Sequence, residues 1–158
     1  MSHETEALAT YVIPLQKSTI LLPEASVAEI IPYEPLQRVQ DTPDWFIGLL
    51  AWRGEQVPVV SFEMLTIKRA SFSLVSVSSA SLVVVRALGD WRGFQYYALV
   101  AQAQPQRVMI HDDELSDVAD EIAMTEVLKV RYGNQVVSIP DVDYIEAQVD
   151  LIAFETVL

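Results

Sequence analysis

The sequence predicts an all-β chain organised as two small barrels, and three observations carry that expectation. Short apolar runs recur along the whole length, from Tyr11–Leu15 to Val136–Ile139. These runs are rich in β-branched and aromatic residues and are separated by Gly, Pro and polar turn residues, which is the punctuation of strands rather than of helices. The third observation is size, since 158 residues suffice for one sizeable core or two small ones but not for several large domains. With 51% hydrophobic and 20% charged residues, the chain can bury enough apolar surface to offset its ordering entropy, so a soluble globular fold is expected.

Residues 1–10 read as a polar leader. MSHETEAL places acids where a signal peptide would need basic residues and an apolar run, so the chain is expected to stay in the cytoplasm; the absence of cysteine fits that compartment. The first half is expected to span residues 11–68. Tyr11–Leu15 and Thr19–Leu22 form a hairpin around Gln16–Ser18, and Pro23 with Glu24 suits the start of a short helical turn. Val27–Ile31, VAEII, returns to strand character around Glu29, which is either a solvent-facing strand residue or a functional one. Pro32, Pro35 and Pro43 then break regular structure and leave a long structured loop, of a kind that is either functional or packed down.

The stretch that organises the chain follows. Trp45–Trp52 is apolar on both faces, Arg53-Gly54 falls where a turn is required, and Val57, Val59 and Val60 belong to a second strand. Burial of its neighbours fixes Arg53 as a cation at a strand end. Gly48, in the middle of the first strand, implies a close backbone approach, a bend or a bulge. Glu63–Leu65 reads as a short helical turn.

Serine-rich residues 69–80 are expected to form a linker or exposed loop, and residues 81–149 the second half. Ser81–Leu88 and Phe94–Ala101 read as strands joined through Gly89–Gly93, so the tripeptide Trp-Arg-Gly occurs twice, at 52–54 and at 91–93. A duplicated hairpin and coincidence both explain the repeat. Gln106–Ile110 and Val127–Tyr132 are further strands, and the acidic stretch between them places Leu115, Val118 and Ile122 at helical spacing, giving either a short amphipathic helix or a solvated loop. Gly133-Asn134 turns into Val136–Ile139. Asp141 then caps a last helix with Val142, Ile145 and Val149 on its buried side, and residues 150–158 form a tail.

A net charge of −12, with 10 basic against 22 acidic residues, argues against nucleic acid as a partner and against membrane surfaces or membrane insertion. Enzyme motifs are missing: the sequence has no Gly-rich phosphate loop, no GxSxG and no HExxH, and its two histidines are His3 and His111. His111–Glu114 lacks the alternate ligand spacing of a calcium loop, and Asp141 with Asp143 reads as a cap and a first-turn acid. No catalytic, cofactor-binding or metal-binding residue is assigned. Two classes remain, a binding adaptor without chemistry and a small-ligand-binding or catalytic β-barrel with a site between its halves. A fixed Arg53 beside Trp52 favours the adaptor, because Trp and Arg dominate interface hot spots, although core packing explains Trp52 as well.

Several of these segments, taken in order, resemble one family. VAEII, the proline-punctuated loop, Phe46, Gly48, Arg53-Gly54 and Pro58-Val59 resemble the first half of a CheW-like domain, the adaptor of bacterial chemosensory arrays. YALVAQAQPQRVMIHDDEL and VVSIPDVDYIEA resemble its second half more loosely. Within the family the pattern is most similar to ChpC-type accessory proteins of pilus-associated chemosensory systems. The resemblance implies two five-stranded SH3-like barrels packed together. It implies an adaptor between the cytoplasmic tip of a chemoreceptor and the regulatory domain of a CheA-type histidine kinase, held at receptor arrays through those partners and acting on type IV pilus twitching motility. Partner binding would fall to Glu29, Trp52, Arg53 and Gly54, with Glu29 close to Arg53 on the receptor-facing side, while Gly48 and Pro58 would be structural. Two departures stand out: Ala51-Trp52 occupies the place where the family shows Asn-Leu or a similar pair, and the second half's glycine and valine-aspartate pattern is replaced around Ala98–Gln104.

Overall fold

A computed structural model of the chain describes residues 7–67 and 79–152. Its strands, in chain order, are β1 (Ala7–Pro14), β2 (Thr19–Pro23), β3 (Val27–Pro32), β4 (Phe46–Trp52), β5 (Glu55–Val60), β6 (Ser81–Arg86), β7 (Tyr96–Ala101), β8 (Gln106–His111), β9 (Leu115–Asp117), β10 (Glu126–Tyr132) and β11 (Gln135–Pro140). Two α-helices, α1 (Phe62–Ile67) and α2 (Val142–Leu151), and 3-10 turns at Glu24–Ser26 and Asp112–Glu114 accompany them among the described residues. The strands form two sheets, ordered β8-β1-β2-β11-β10-β9 and β3-β6-β7-β5-β4. Neighbours are antiparallel except β2 with β11 and β5 with β7.

Side chains of the second sheet alternate between two cores, as the period of two along a strand requires. Val83 and Val85 of β6 and Tyr97, Leu99 and Ala101 of β7 face a cluster shared with Ile13, Ile20 and Leu22 of the first sheet and with Ile145 and Val149 of α2. Leu82, Val84, Ala98 and Val100 face the other way, with Leu50, Trp52, Val57 and Val59. A smaller cluster of Leu21, Ile110, Val130 and Val137 belongs to the first sheet alone. One core thus joins the sheets and each sheet has a core of its own, which accounts for strands that read as apolar on both faces.

Several expectations need correction. Residues 7–10, expected to belong to a leader, lie in β1 and pair with β8 from Ala7↔His111 onward. Five strands hold for the second sheet, but the first has six: residues 115–117 of the acidic stretch add β9 to the edge of β10. Residues 112–114 thus form a 3-10 turn and 115–117 a strand, while 118–125 carry neither helix nor strand and are mostly exposed, so beyond β9 the loop alternative holds and the amphipathic helix does not. Each sheet also draws strands from both sides of residues 69–80, so the division by sheet does not coincide with a division into 11–68 and 81–149. The predicted linker, apart from residues 79 and 80, and the tail beyond residue 152 lie outside the described residues.

Local expectations around the central hairpin fit. β4 and β5 pair from Trp52↔Glu55 to Phe46↔Val60, with a bulge between Phe46 and Gly48. A Cβ on Gly48 would lie 2.7 Å from the carbonyl oxygen of Gln37 and 3.0 Å from Cβ of Leu36, so the glycine serves a close backbone approach. The proline-rich loop docks there through two hydrogen bonds between Gln37 and Leu49, at 2.9 and 2.8 Å. Since those bonds use the backbone groups of Leu49, its pair with Pro58 carries no hydrogen bonds toward β5, and proline costs that ladder nothing.

Candidate docking site

The β4–β5 turn consists of Arg53 and Gly54 alone, with φ of 50° and 77°. Two-residue turns with both φ positive match the twist of antiparallel strands, and Gly54 suits that backbone. Arg53 does not, since an L-residue in the left-handed region costs roughly 1–2 kcal/mol. Its side chain is therefore carried into solvent at the hairpin tip by a turn normally filled by Asn or Gly.

Three side chains meet there. Trp52 is 6% exposed, and its indole Nε1 donates to Oε1 of Glu29 at 2.8 Å. Arg53 Nη2 donates to the same oxygen at 3.2 Å, and the Arg53 and Glu29 side chains are 64% and 39% exposed. Arg53 Cζ lies 4.5 Å from the centroid of the Trp52 ring, and Tyr96 packs against that ring at 4.8 Å. Glu29 comes from β3 and the other two from β4 and its turn, at opposite edges of the second sheet. The expected proximity of Glu29 to Arg53 is thus present, Gly54 supplies the turn, and Trp52 lies under the charges as well as in the core. So exposed an ion pair adds only about 0–1 kcal/mol to folding.

Sequence reasoning passed over a second set of carboxylates. Glu146 of α2 is fully buried and accepts from the backbone N–H of Leu88 at 2.9 Å, of Gly89 at 2.9 Å and from the indole Nε1 of Trp91 at 2.9 Å. The hydroxyl of Tyr97 is buried without a hydrogen-bond partner among the described residues. Burial, and then the Glu146 carboxylate, raise the Tyr97 pKa above its usual value. Glu63 of α1 accepts from the backbone N–H of Gln16 and Lys17, both at 2.7 Å, and so fixes the β1–β2 turn. A signal for Glu146 was present: Val142, Glu146 and Val149 share one face of a helix whose apolar side is buried.

One surface hollow among the described residues, about 490 Å³, is lined by Ile67, Ile122 and Val136 around Glu63 and Glu126. Both carboxylates are already committed as acceptors, Glu63 to the β1–β2 turn and Glu126 to Ala123 N–H and the Ser138 hydroxyl. No helix among the described residues is long and apolar enough to cross a membrane.

Two packed β-sheets thus present Arg53 and Glu29 together at a solvent-exposed hairpin tip. A CheW-like domain model matches residues 10–149, and the chain belongs to that family of chemotaxis adaptors. Among solved structures, the crystal structure of the scaffolding protein TtCheW from Thermoanaerobacter tengcongensis is similar, with a TM-score of 0.71 at 15% identity, over 89% of this chain and 88% of that one. At that identity the likeness shows the fold. No curated protein matches the chain.

Proposed function

We propose that the chain is a non-catalytic, cytoplasmic adaptor that docks the cytoplasmic tip of a chemoreceptor and couples it to the regulatory domain of a CheA-type histidine kinase. Family membership supports the class of activity, and the observation that carries the docking reading is Arg53, held at an exposed hairpin tip between Glu29 and Trp52. A pre-oriented guanidinium loses less entropy on binding than a free one and can engage an acceptor through two donors. Gly54 contributes by allowing the turn. Its resemblance to ChpC-type proteins supports a role in a pilus-associated system controlling twitching motility.

Capture of receptor cytoplasmic fragments and of CheA-type kinases from the source organism by the immobilised chain tests this. Retention of at least one receptor and one kinase, lost on Arg53→Glu, is expected. Retention of neither would end the adaptor reading, and a twitching defect without a swimming defect on deletion is the outcome expected of a pilus-associated protein.

A further inference from the structure

Glu29 and Arg53 are linked by one hydrogen bond of 3.2 Å between two solvent-exposed side chains. Water competes for both groups, and a contact of that kind does not hold a long, flexible side chain in one direction. Beneath the pair lies something stiffer. The Trp52 indole is buried, held by Tyr96 at 4.8 Å and by the core between β4, β5, β6 and β7, and it touches both charged residues. Its face lies under the guanidinium at 4.5 Å, and its N–H meets Glu29 Oε1 at 2.8 Å, closer than the arginine does.

We propose that Trp52 is the positioning residue of the docking patch: its ring sets the direction of Arg53, and its N–H aims Glu29. This rests on the docking reading of Arg53 and adds that Trp52 acts from below, without itself contacting the partner. Cation–π attraction to an immobile ring holds a guanidinium over that ring while leaving its N–H groups free to donate. Aiming Glu29 through Oε1 has a second effect. Trp52 and Arg53 share one carboxylate oxygen, and among the described residues Oε2 has no recorded partner, so an acceptor and a donor edge stand side by side at the surface.

The test separates the two candidate anchors in the free, full-length chain. ¹⁵N relaxation of the Arg53 Nε–Hε group and the ring-current shift of its side-chain protons are measured in wild type, Glu29→Ala, Trp52→Phe and Trp52→Leu. Glu29→Ala is expected to keep both signatures. Trp52→Phe is expected to keep most of the order, since a ring remains, and Trp52→Leu to abolish the ring-current shift from residue 52 and bring the order parameter below about 0.6, into the flexible range. Receptor-fragment capture should weaken about tenfold in Trp52→Leu and distinctly less in Trp52→Phe. Arg53 that becomes mobile in Glu29→Ala, or that stays ordered in Trp52→Leu, would overturn the proposal, and because the Glu29 side chain is exposed its variant is readable even if Trp52→Leu folds poorly. Normal receptor capture by Arg53→Ala would instead remove the docking reading, an outcome independent of which residue orients the guanidinium.

Discussion

The two Trp-Arg-Gly tripeptides use the same donor–acceptor pair for opposite ends. In each, a tryptophan indole donates to a glutamate distant in sequence, Trp52 to Glu29 and Trp91 to Glu146. Around Glu29 the charge sits at the surface and is shared with an arginine. Around Glu146 the carboxylate is fully buried, and its hydrogen-bond donors among the described residues are neutral N–H groups from a single loop. The backbones differ too: Arg53 and Gly54 have positive φ in a two-residue hairpin turn, whereas Arg92 and Gly93 do not and lie in a longer connection. Both tripeptides thus fall at the connection between consecutive antiparallel strands, but in turns of different length and backbone. What decides the role of each glutamate is solvent, because a carboxylate screened by water stabilises little and stays available, while a buried one must be fully satisfied and so organises the chain around it.

The largest expected effect follows from that contrast. Glu146→Ala strands the N–H groups of Leu88 and Gly89 and the Trp91 indole, and at roughly 1–3 kcal/mol for each buried unpaired group the variant should lose about 3 kcal/mol or more. Glu29→Ala strands only the Trp52 indole N–H, beside an exposed ion pair that adds little, so at the same rate it should lose about a third as much. Urea unfolding of both, at equal m-value, checks the ratio, and similar losses at the two sites would break the comparison.

Glycines near the two tryptophans give the next effect. Gly48→Val drives a side chain into the Gln37 backbone and should cost about 1–3 kcal/mol by overpacking, read as a lowered melting temperature. At Gly89 a Cβ would fall 2.5 Å from Nε1 of Trp91, so Gly89→Ala should displace the indole from Glu146 rather than move backbone. Its loss should shrink sharply when Glu146 has already been removed, and a double-mutant cycle would reveal that coupling.

Tyr97 sharpens the comparison further. Its hydroxyl is buried, unpaired among the described residues and close enough to Glu146 to feel its charge, which raises its pKa. A tyrosine that stays protonated when folded but ionises at its usual pKa of about 10 when unfolded adds stability below that pH, and the contribution is lost as pH rises toward the folded value. Stability should then fall by about 1.4 kcal/mol per pH unit above pH 10 from this group, and Tyr97→Phe should flatten that fall. At neutral pH the same variant should be neutral or up to about 1 kcal/mol more stable, because it deletes an unsatisfied buried hydroxyl.

Which parts were legible in the sequence follows from the reach of each signal. The β4–β5 hairpin, the Asp141 cap accepting from Tyr144 N–H at 3.1 Å, and the short helix at Glu63 were readable because they depend on neighbours within a few residues. Gly48 was readable as a close approach, but what approaches it, Gln37, was not. Strand β9 has three residues in an acidic stretch and owes its conformation to the edge of β10, so no local periodicity marks it. Sheet membership was hidden for the same reason: the β2–β11 and β5–β7 pairings join segments far apart in the chain. At the site, family resemblance placed Glu29 beside Arg53, whereas the role of Trp52 beneath them needed the ring geometry.

The smallest effect on stability carries the largest expected effect on function. Arg53→Glu replaces one exposed charge by another beside Glu29, so two carboxylates face each other at the hairpin tip. In water that repulsion is worth no more than about 1 kcal/mol, and the melting temperature should move by only a few degrees. Receptor capture should fail, because the donor edge of the guanidinium is gone and the patch has turned from neutral to doubly negative on a chain of net charge −12. Adding Glu29→Lys restores one cation and one anion with their positions exchanged. If the partner reads only a mutually oriented ion pair, the double variant should recover part of the capture. If the partner reads the planar fork stacked on Trp52, it should not, since a lysine carried by β3 cannot reproduce a guanidinium that lies on the indole. The stacking geometry predicts the second outcome, so recovery by the double variant would show that charge order, and not the fork on its ring, is what the surface presents.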